Sequence, residues 1–218
     1  MQTIEAIRSR RAVHDYSDEP VRDDTLRELL DATRWAPSGW NLQPWELCVL
    51  RDDADRRAVR ATTYTDQEHV TDAPVVIVVC GRLDPGAHVA RAVSDAREKG
   101  YVDGERAADI REKVSEMRER PVVARKIWSI RNCMVAATTL LYAAEALGLA
   151  TCPFTGFDHE ELEDAIDAPD ELEAVIGVTV GHAAAGAGHD DERPRKWRRD
   201  VEDVATFGTF GNSTEPHS

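Results

Sequence analysis

Residues 34–47 read RWAPSGWNLQPWEL. The stretch joins a helix-like segment to an apolar, strand-like one, yet it contains three tryptophans, two prolines and several amide and hydroxyl side chains. An ordinary surface connection needs little apolar area, because it runs through solvent. Tryptophans bring a large apolar area to a contact, while amides and hydroxyls bring hydrogen bonds. We therefore expect this loop to be a contact surface as well as a connection.

The length and composition of the chain predict one domain. The chain has 218 residues, of which 42% are hydrophobic, and this suffices for one sizeable core. We expect a single domain over residues 1–207 and a flexible tail at 208–218. No apolar run reaches the roughly 18 residues that a membrane helix needs, and the N-terminus lacks the apolar segment of a signal peptide. A cytoplasmic protein is expected.

The charge of the chain is strongly acidic. Its 41 acidic and 27 basic residues give a net charge of −14, and only Lys99, Lys113, Lys126 and Lys196 are lysines. Such a surface disfavours general nucleic-acid binding, because the phosphate backbone requires positive charge. It suits a protein that works in concentrated salt, where counterions screen self-repulsion. The composition resembles that of cytoplasmic proteins from salt-accumulating halophiles.

The motifs of several common site classes are missing from the sequence. The four cysteines form no C-x-x-C pair and have no zinc-ligand spacing with histidine, so we expect buried thiols and no metal site. No G-x-G-x-x-G follows a strand, and no G-x-x-x-x-G-K-[ST] occurs. A Rossmann dinucleotide domain and a P-loop enzyme are therefore disfavoured.

Hydrophobic periodicity predicts interleaved helices and strands. The segment 73–81, APVVIVVCG, is the strongest strand, and the helix at 122–147 is apolar on nearly all sides in its second half, which is typical of a core or a subunit interface. The predicted elements are helices at 3–11, 23–35 (ended by Pro37) and in the first half of 51–72, strands at 45–50 and 73–81, helices at 105–120 and 122–147 (capped by Gly148), a short helix after Asp158, and a strand at 174–182. This order predicts an α+β fold with a sheet wrapped by helices.

Residues 84–121 are highly charged and contain three glycines. The charges alone favour a solvated helical hairpin, and the part at 105–120 is expected to be an exposed helix. The other interpretation is a mobile cover over a site.

Three short stretches contain candidate site residues. In SRRAVHDY (9–16), Arg10 and Arg11 could hold a phosphate bidentately, or they could simply favour a helix C-terminus. In CPFTGFD (152–158), Gly156 could let a flat ligand approach main-chain N–H groups, or the stretch could be a connector. The basic cluster RKWRR (195–199) could complete a phosphate site with Arg10, or it could be a solvated charge run.

Taken in order, these stretches resemble the nitroreductase family of FMN-dependent oxidoreductases. SRRAVHDY resembles the family's R-R-S-x-R-x-F/Y, and APSGWNLQPWEL closely resembles A-P-S-x-x-N-x-Q-P-W-x-F. GLATCPFTGFD resembles G-L-x-x-C-x-x-x-G-F-D, and RRDVEDV resembles R-R-P-L-E-E-V. The resemblance extends from about residue 4 to residue 207.

The resemblance implies a nitroreductase-like fold with a central, mostly antiparallel sheet, assembled as an intertwined homodimer with FMN at the subunit interface. The implied cofactor-binding residues are Arg10, Arg11, Ala12, His14, Pro37, Ser38, Gly39, Asn41, Phe154, Thr155, Gly156, Lys196 and Arg198. By the same resemblance, the arginines and Lys196 bind the phosphate and ribityl chain, and the loop at 37–41 reaches the flavin from the other subunit.

The resemblance also implies where the chemistry occurs. The main chain of Thr155 and Gly156 would lie near flavin N5, and His14 would lie near the pyrimidine edge of the ring, where the family usually has arginine or lysine. No catalytic side chain is implied, because the flavin carries the reaction. Ala12 stands in place of a serine and Asp200 in place of a proline, which leaves the exact phosphate ligands open among Lys196, Arg198 and Arg199. His69 could face the flavin edge, although we expect a surface histidine.

The implied activity is an FMN-dependent oxidoreductase that takes hydride from NAD(P)H and reduces nitroaromatics, quinones or similar small acceptors by a ping-pong route. The expected partners are a second copy of the chain and a small-molecule electron acceptor, and neither nucleic acid nor a membrane is expected. Two alternatives stay open. The same fold and cofactor could serve reductive dehalogenation, flavin fragmentation or dehydrogenation, or the chain could bind flavin without turnover.

Overall fold

A computed structural model describes residues 1–187 and 194–210, together with the backbone of 212–213. The helices are α1 Thr3–Ser9, α2 Asp23–Thr33, α3 Asp53–Ala61, α4 His69–Asp72, α5 Val89–Glu98, α6 Gly104–Arg118, α7 Val122–Ala146, α8 His159–Ala165 and α9 Val201–Val204. The strands are β1 Trp45–Leu50, β2 Val75–Arg82, β3 Ala150–Phe154, β4 Leu172–Gly181, β5 Gly208–Thr209 and β6 Asn212–Ser213. A single 3-10 turn spans Gly39–Asn41.

Four antiparallel strands form the central sheet in the order β1-β2-β4-β3. The two inner strands are the two strongest apolar runs of the sequence, and their side chains are almost entirely buried because helices cover both faces. This confirms the predicted α+β fold and the strands at 45–50, 73–81 and 174–182. The sequence did not predict β3. Pro153 weakens the strand signal in the sequence, because proline is uncommon in strands. The structure accommodates Pro153 because β3 is an edge strand, where a residue without an N–H is tolerated.

The central helix α7 packs along the sheet through small side chains. Cys133, Ala136, Ala137 and Leu140 are all buried against it. The helix ends as predicted, since Gly148 follows it with a φ of +75°, a left-handed conformation that glycine adopts without strain. Other apolar side chains of α7 stay exposed within one chain, among them Val122, Val123, Ile127, Met134 and Val135.

Helix α2 ends earlier than predicted. It stops at Thr33, and Pro37 lies four residues further on. The Thr33 hydroxyl donates a hydrogen bond to the Leu29 carbonyl at 2.8 Å, and the Ala36 N–H donates to the Thr33 carbonyl at 3.1 Å, so the chain tightens into a turn. A proline disfavours helical geometry in the residue before it, which is why the turn does not return to helix.

Helices α5 and α6 form the predicted hairpin, but α6 is not simply exposed. Ala107, Ile110 and Val114 are buried, and they pack with Val93 of α5 and with Leu42 of the 34–47 loop. The charged residues lie on the outer face, which is why the sequence looked solvated throughout. The hairpin therefore has its own small core, and that core includes part of the loop.

The loop tryptophans, the cysteines and the tail can also be compared with the sequence. Trp45 is buried in the core, whereas Trp35 is 72% exposed. All four cysteines are free thiols, and burial raises the pKa of Cys133 to about 12. The tail includes the two-residue ladder of β5 and β6, which was not predicted, while 214–218 lie outside the described residues. Within the described residues, no helix is both long and apolar enough to cross a membrane.

Gly177 of β4 provides a test of the sheet packing. A Cβ at this position would lie 2.1 Å from the ring of Phe154, so Gly177→Ala must displace a buried aromatic side chain. We expect a loss of about 1–3 kcal/mol in the free energy of unfolding, measured by urea denaturation. Gly104→Ala is the matched control, because a Cβ added there would have no neighbour within 4 Å. An equal effect of the two substitutions would contradict this packing.

Candidate functional site

A cleft of about 450 Å³ lies beside the N-terminal segment. It concentrates positive charge in an otherwise acidic chain. Among the described residues, five fixed cations and one carboxylate line it together with His14. The cations are Arg10, Arg11, Arg195, Lys196 and Arg198, and the carboxylate is Asp15. The two predicted basic clusters, far apart in sequence, therefore meet in one place.

The edge strand β3 positions the N-terminal half of this cleft. The Val13 N–H donates a hydrogen bond to the Thr151 carbonyl at 3.0 Å, and Ala12 forms a parallel bridge with Thr151. Further along, the Tyr16 hydroxyl lies 2.7 Å from the Thr179 hydroxyl oxygen, and burial raises the pKa of Tyr16. The arginines just before Val13 are thereby held along the sheet edge rather than left on a frayed terminus.

Arg10 has the property expected of an anion ligand. Its Nη1 is buried and makes no hydrogen bond to the described part of the chain. A buried, unpaired guanidinium nitrogen is costly, so such a group ordinarily has a partner. A phosphate accepts from guanidinium groups in this way, and the surrounding charge is of the right sign. The residues present therefore fit the phosphate of FMN, whose binding requires concentrated positive charge.

The segment after β3 offers main-chain donors. Within the described residues, neither the Thr155 N–H nor the Gly156 N–H donates a hydrogen bond. The Gly156 carbonyl, in contrast, accepts from the Tyr64 N–H at 2.9 Å and from Gln67 Nε2 at 3.3 Å, which holds the turn in place. Phe154 is 5% exposed, and its side chain lies in the core, so only its main chain is available to a ligand.

The loop at 37–43 has a constrained backbone. Trp40, Asn41 and Gln43 all have positive φ, at 50°, 56° and 45°, which is costly for residues with a side chain. Two contacts hold this conformation. The Ser38 hydroxyl accepts from the Gln43 N–H at 2.9 Å, and Asn132 Oδ1 on α7 accepts from the Gly39 N–H at 3.0 Å.

One chain does not bring the two groups of predicted site residues together. Pro37, Ser38, Gly39 and Asn41 precede β1, whereas Arg10 and its neighbours lie along β3 at the opposite edge of the sheet. Three strand spacings separate these edges, which is roughly 14 Å. Asn41 instead lines a second cleft, of about 590 Å³, together with residues of α5.

His69 differs from the expectation of a surface histidine. It is only 7% exposed, because it lies between His14 and the ring of Phe154. Arg195 lines the cleft but was absent from the predicted site, although it lies in the same basic cluster as Lys196. Asn132 was also missed, since a single asparagine on a long helix carries no sequence signal. Arg199 does not line the cleft, and its guanidinium donates to the Asp203 carbonyl.

The described residues contain no group of three or more His, Cys, Asp or Glu placed to hold a metal ion. The groups that the structure offers for chemistry are the cations of the cleft, the main-chain donors at Thr155 and Gly156, and the two histidines.

Comparisons with known proteins agree with this geometry. The "Nitroreductase family" model matches residues 7–182. An "NADH dehydrogenase" from Thermus thermophilus is 35% identical over 181 residues, which cover 80% of this chain and 83% of that protein.

Solved structures show the same fold. A Bacillus subtilis protein described as a nitroreductase, ydfN, has a TM-score of 0.82 at 22% identity and covers 93% of this chain and 96% of its own. A protein from Exiguobacterium sibiricum that is described as a nitroreductase and was solved in complex with FMN has a TM-score of 0.80 at 21% identity, and the match covers 94% of this chain and 96% of its own. The match to the family model spans most of the chain and includes the loop and the N-terminal half of the cleft, whereas Arg195, Lys196 and Arg198 lie beyond it. The chain therefore belongs to the nitroreductase family.

Proposed function

We propose that the protein is an FMN-dependent oxidoreductase that takes hydride from NAD(P)H and passes it to nitroaromatics, quinones or similar small acceptors by a ping-pong route. The observation that carries this proposal is the cationic cleft in a chain of net charge −14, with a buried Arg10 nitrogen that has no partner among the described residues. The names of the relatives support the nucleotide and the reaction class, and the FMN complex of one structural neighbour supports the cofactor.

Two groups of residues would bind different parts of FMN. Arg10, Arg11, Lys196 and Arg198 would hold the phosphate and ribityl chain, with Arg195 adding to the same positive field. The N–H groups of Thr155 and Gly156, which donate no hydrogen bond within the described residues, would serve the ring near N5. Both groups border edge strand β3, so one extended ligand could contact them together.

The proposed chemistry requires electrostatic support rather than a protein nucleophile. Bound FMN supplies hydride acceptance and donation. The cations of the cleft and His14 would stabilise the negative charge that reduction places there, because fixed charges aimed at a developing charge need no reorganisation. No side chain forms a covalent bond in this scheme.

A homodimer is part of the proposal. Within one chain, the loop and the cleft lie at opposite edges of the sheet. A cofactor in the cleft of a second copy could therefore be contacted by the loop residues Pro37, Ser38, Gly39 and Asn41. The exposed apolar faces of α1 and α7 support such an assembly, since Ile4, Ile7, Val123 and Ile127 are each more than 40% exposed in one chain.

The first test is the visible spectrum of the purified protein in concentrated salt. We expect a flavin band near ~450 nm that bleaches when NADH or NADPH is added without oxygen, as hydride transfer to a flavin requires. Colourless protein that FMN cannot reconstitute would overturn the proposal. Bound FMN that neither nucleotide reduces would favour the flavin-binding alternative without turnover.

Arg10→Gln tests the phosphate contact. Because charge-assisted hydrogen bonds contribute about 1.5–3 kcal/mol, we expect the Kd for FMN to rise about 10- to 100-fold. Fluorescence titration of the apoprotein with FMN measures it. Arg22→Gln is the matched control, since Arg22 is exposed, pairs with Asp24 and lies outside the cleft. Equal affinities of the two variants for FMN would show that Arg10 is not a ligand.

A further inference from the structure

Two histidines stack face to face at the cleft. The rings of His14 and His69 have centroids 4.8 Å apart and an interplanar angle of 16°. His14 lines the cleft and is exposed, whereas His69 is 7% exposed. Behind His69, the ring of Phe154 meets it edge-on at 6.0 Å. The stack therefore links the cleft to the core through one buried imidazole.

The surroundings of the buried His69 ring disfavour its protonation. Burial lowers the pKa of His69, the neighbouring His14 lowers it further, and only Asp72 acts in the opposite direction. His69 Nε2 is buried and has no hydrogen-bond partner in the described part of the chain. An imidazolium needs an acceptor at each ring nitrogen, so the site is built for a neutral ring.

The charges around the pair come from several elements. On the cleft side the fixed cations outnumber the one carboxylate, as described above. Asp72 lies on α4, and Glu68 immediately precedes this helix, with its Oε1 3.9 Å from Nη2 of Arg60 on α3. Strand β3 adds the uncharged Phe154 ring and the buried thiol of Cys152, whose pKa burial raises to about 11. Two charged rings 4.8 Å apart would also repel each other, so the pair favours a single proton.

We propose that His14 takes up one proton when the cofactor in the cleft is reduced, and that His69 is the positioning residue that holds the His14 ring in place by stacking. This inference rests on the proposed function, because it assumes FMN in the cleft. It assigns His69 a role that depends on its ring face and not on its own titration.

The proton balance is simple. Hydride from NAD(P)H brings two electrons and adds negative charge to the cleft, and that charge favours protonation of His14 by solvent. When the acceptor takes the electrons, the charge is removed and His14 returns its proton. A histidine side chain exchanges a proton only over a limited range of pH, so the extra proton is expected over part of the pH scale.

The experiment is a potentiometric titration of the FMN-loaded protein at several pH values between about 5 and 9, a range that spans histidine titration. Four proteins are compared, namely the native chain, His14→Arg, His69→Phe and His69→Leu. Arginine gives position 14 a permanent charge. Phenylalanine keeps a planar ring that cannot titrate, and leucine fills a similar volume without a ring to stack.

We expect the native protein to take up about one additional proton per two electrons over part of this range. That proton steepens the slope of potential against pH by about 30 mV per pH unit, the two-electron equivalent of a tenfold change. His14→Arg should abolish the additional proton and His69→Phe should retain it. His69→Leu should retain less than half of it, because His14 is then free to turn away.

Several results would overturn the inference. A His69→Leu slope equal to the native one would remove the positioning role, and loss of the proton in His69→Phe would make His69 the titrating ring. If His69→Leu loses FMN or unfolds, the histidine ring NMR signals of the native protein show which ring takes up the proton. The inference requires that the signal that shifts with redox state is absent in His14→Arg. If none of the four proteins retains FMN, the proposed function fails as well. If all four retain reducible FMN and show identical slopes of potential against pH, only this inference is wrong.

Discussion

One backbone pairing determines where the site can form. The hydrogen bond from the Val13 N–H to the Thr151 carbonyl fixes the N-terminal segment along edge strand β3. Without it, Arg10 and Arg11 would follow a short exposed helix into solvent, where their mutual repulsion and side-chain entropy would oppose a common binding geometry. With it, they face Lys196 and Arg198 across one cleft, and His14 comes to rest on the buried ring of His69.

The central sheet also separates the loop at 37–43 from the cleft of the same chain. Loop 37–43 precedes β1 at the other edge, and its three residues with positive φ are held by Asn132 of α7 and by the hairpin core around Leu42. Strained backbone conformations cluster at functional sites, so we expect this loop to have a functional role. None of its residues lines the cleft described in its own chain, which is why the proposal requires a second copy.

Sequence reasoning recovered the elements whose signal is local. The apolar runs predicted β1, β2 and β4, and periodicity predicted α7 and the hairpin. It missed β3, because Pro153 reads as a turn, and it missed the burial of His69, because burial depends on Phe154 and His14, which are distant in sequence. Charge alone left open whether Arg10 meets Lys196, and only the family resemblance favoured it, since no spacing rule links residues so far apart. The predicted adaptation to concentrated salt stays a prediction.

The central claim is that each site is shared between two copies, and heterodimers test it most directly. One protomer would carry both Arg10→Gln in the cleft and Asn41→Asp in the loop, the other would be native, and FMN bound per heterodimer would be measured by equilibrium dialysis. A shared site distributes the two defects over both clefts, so the account predicts no FMN bound with native affinity. A site contained within one chain would leave the native protomer intact, and one FMN bound with native affinity by a folded heterodimer would contradict the account.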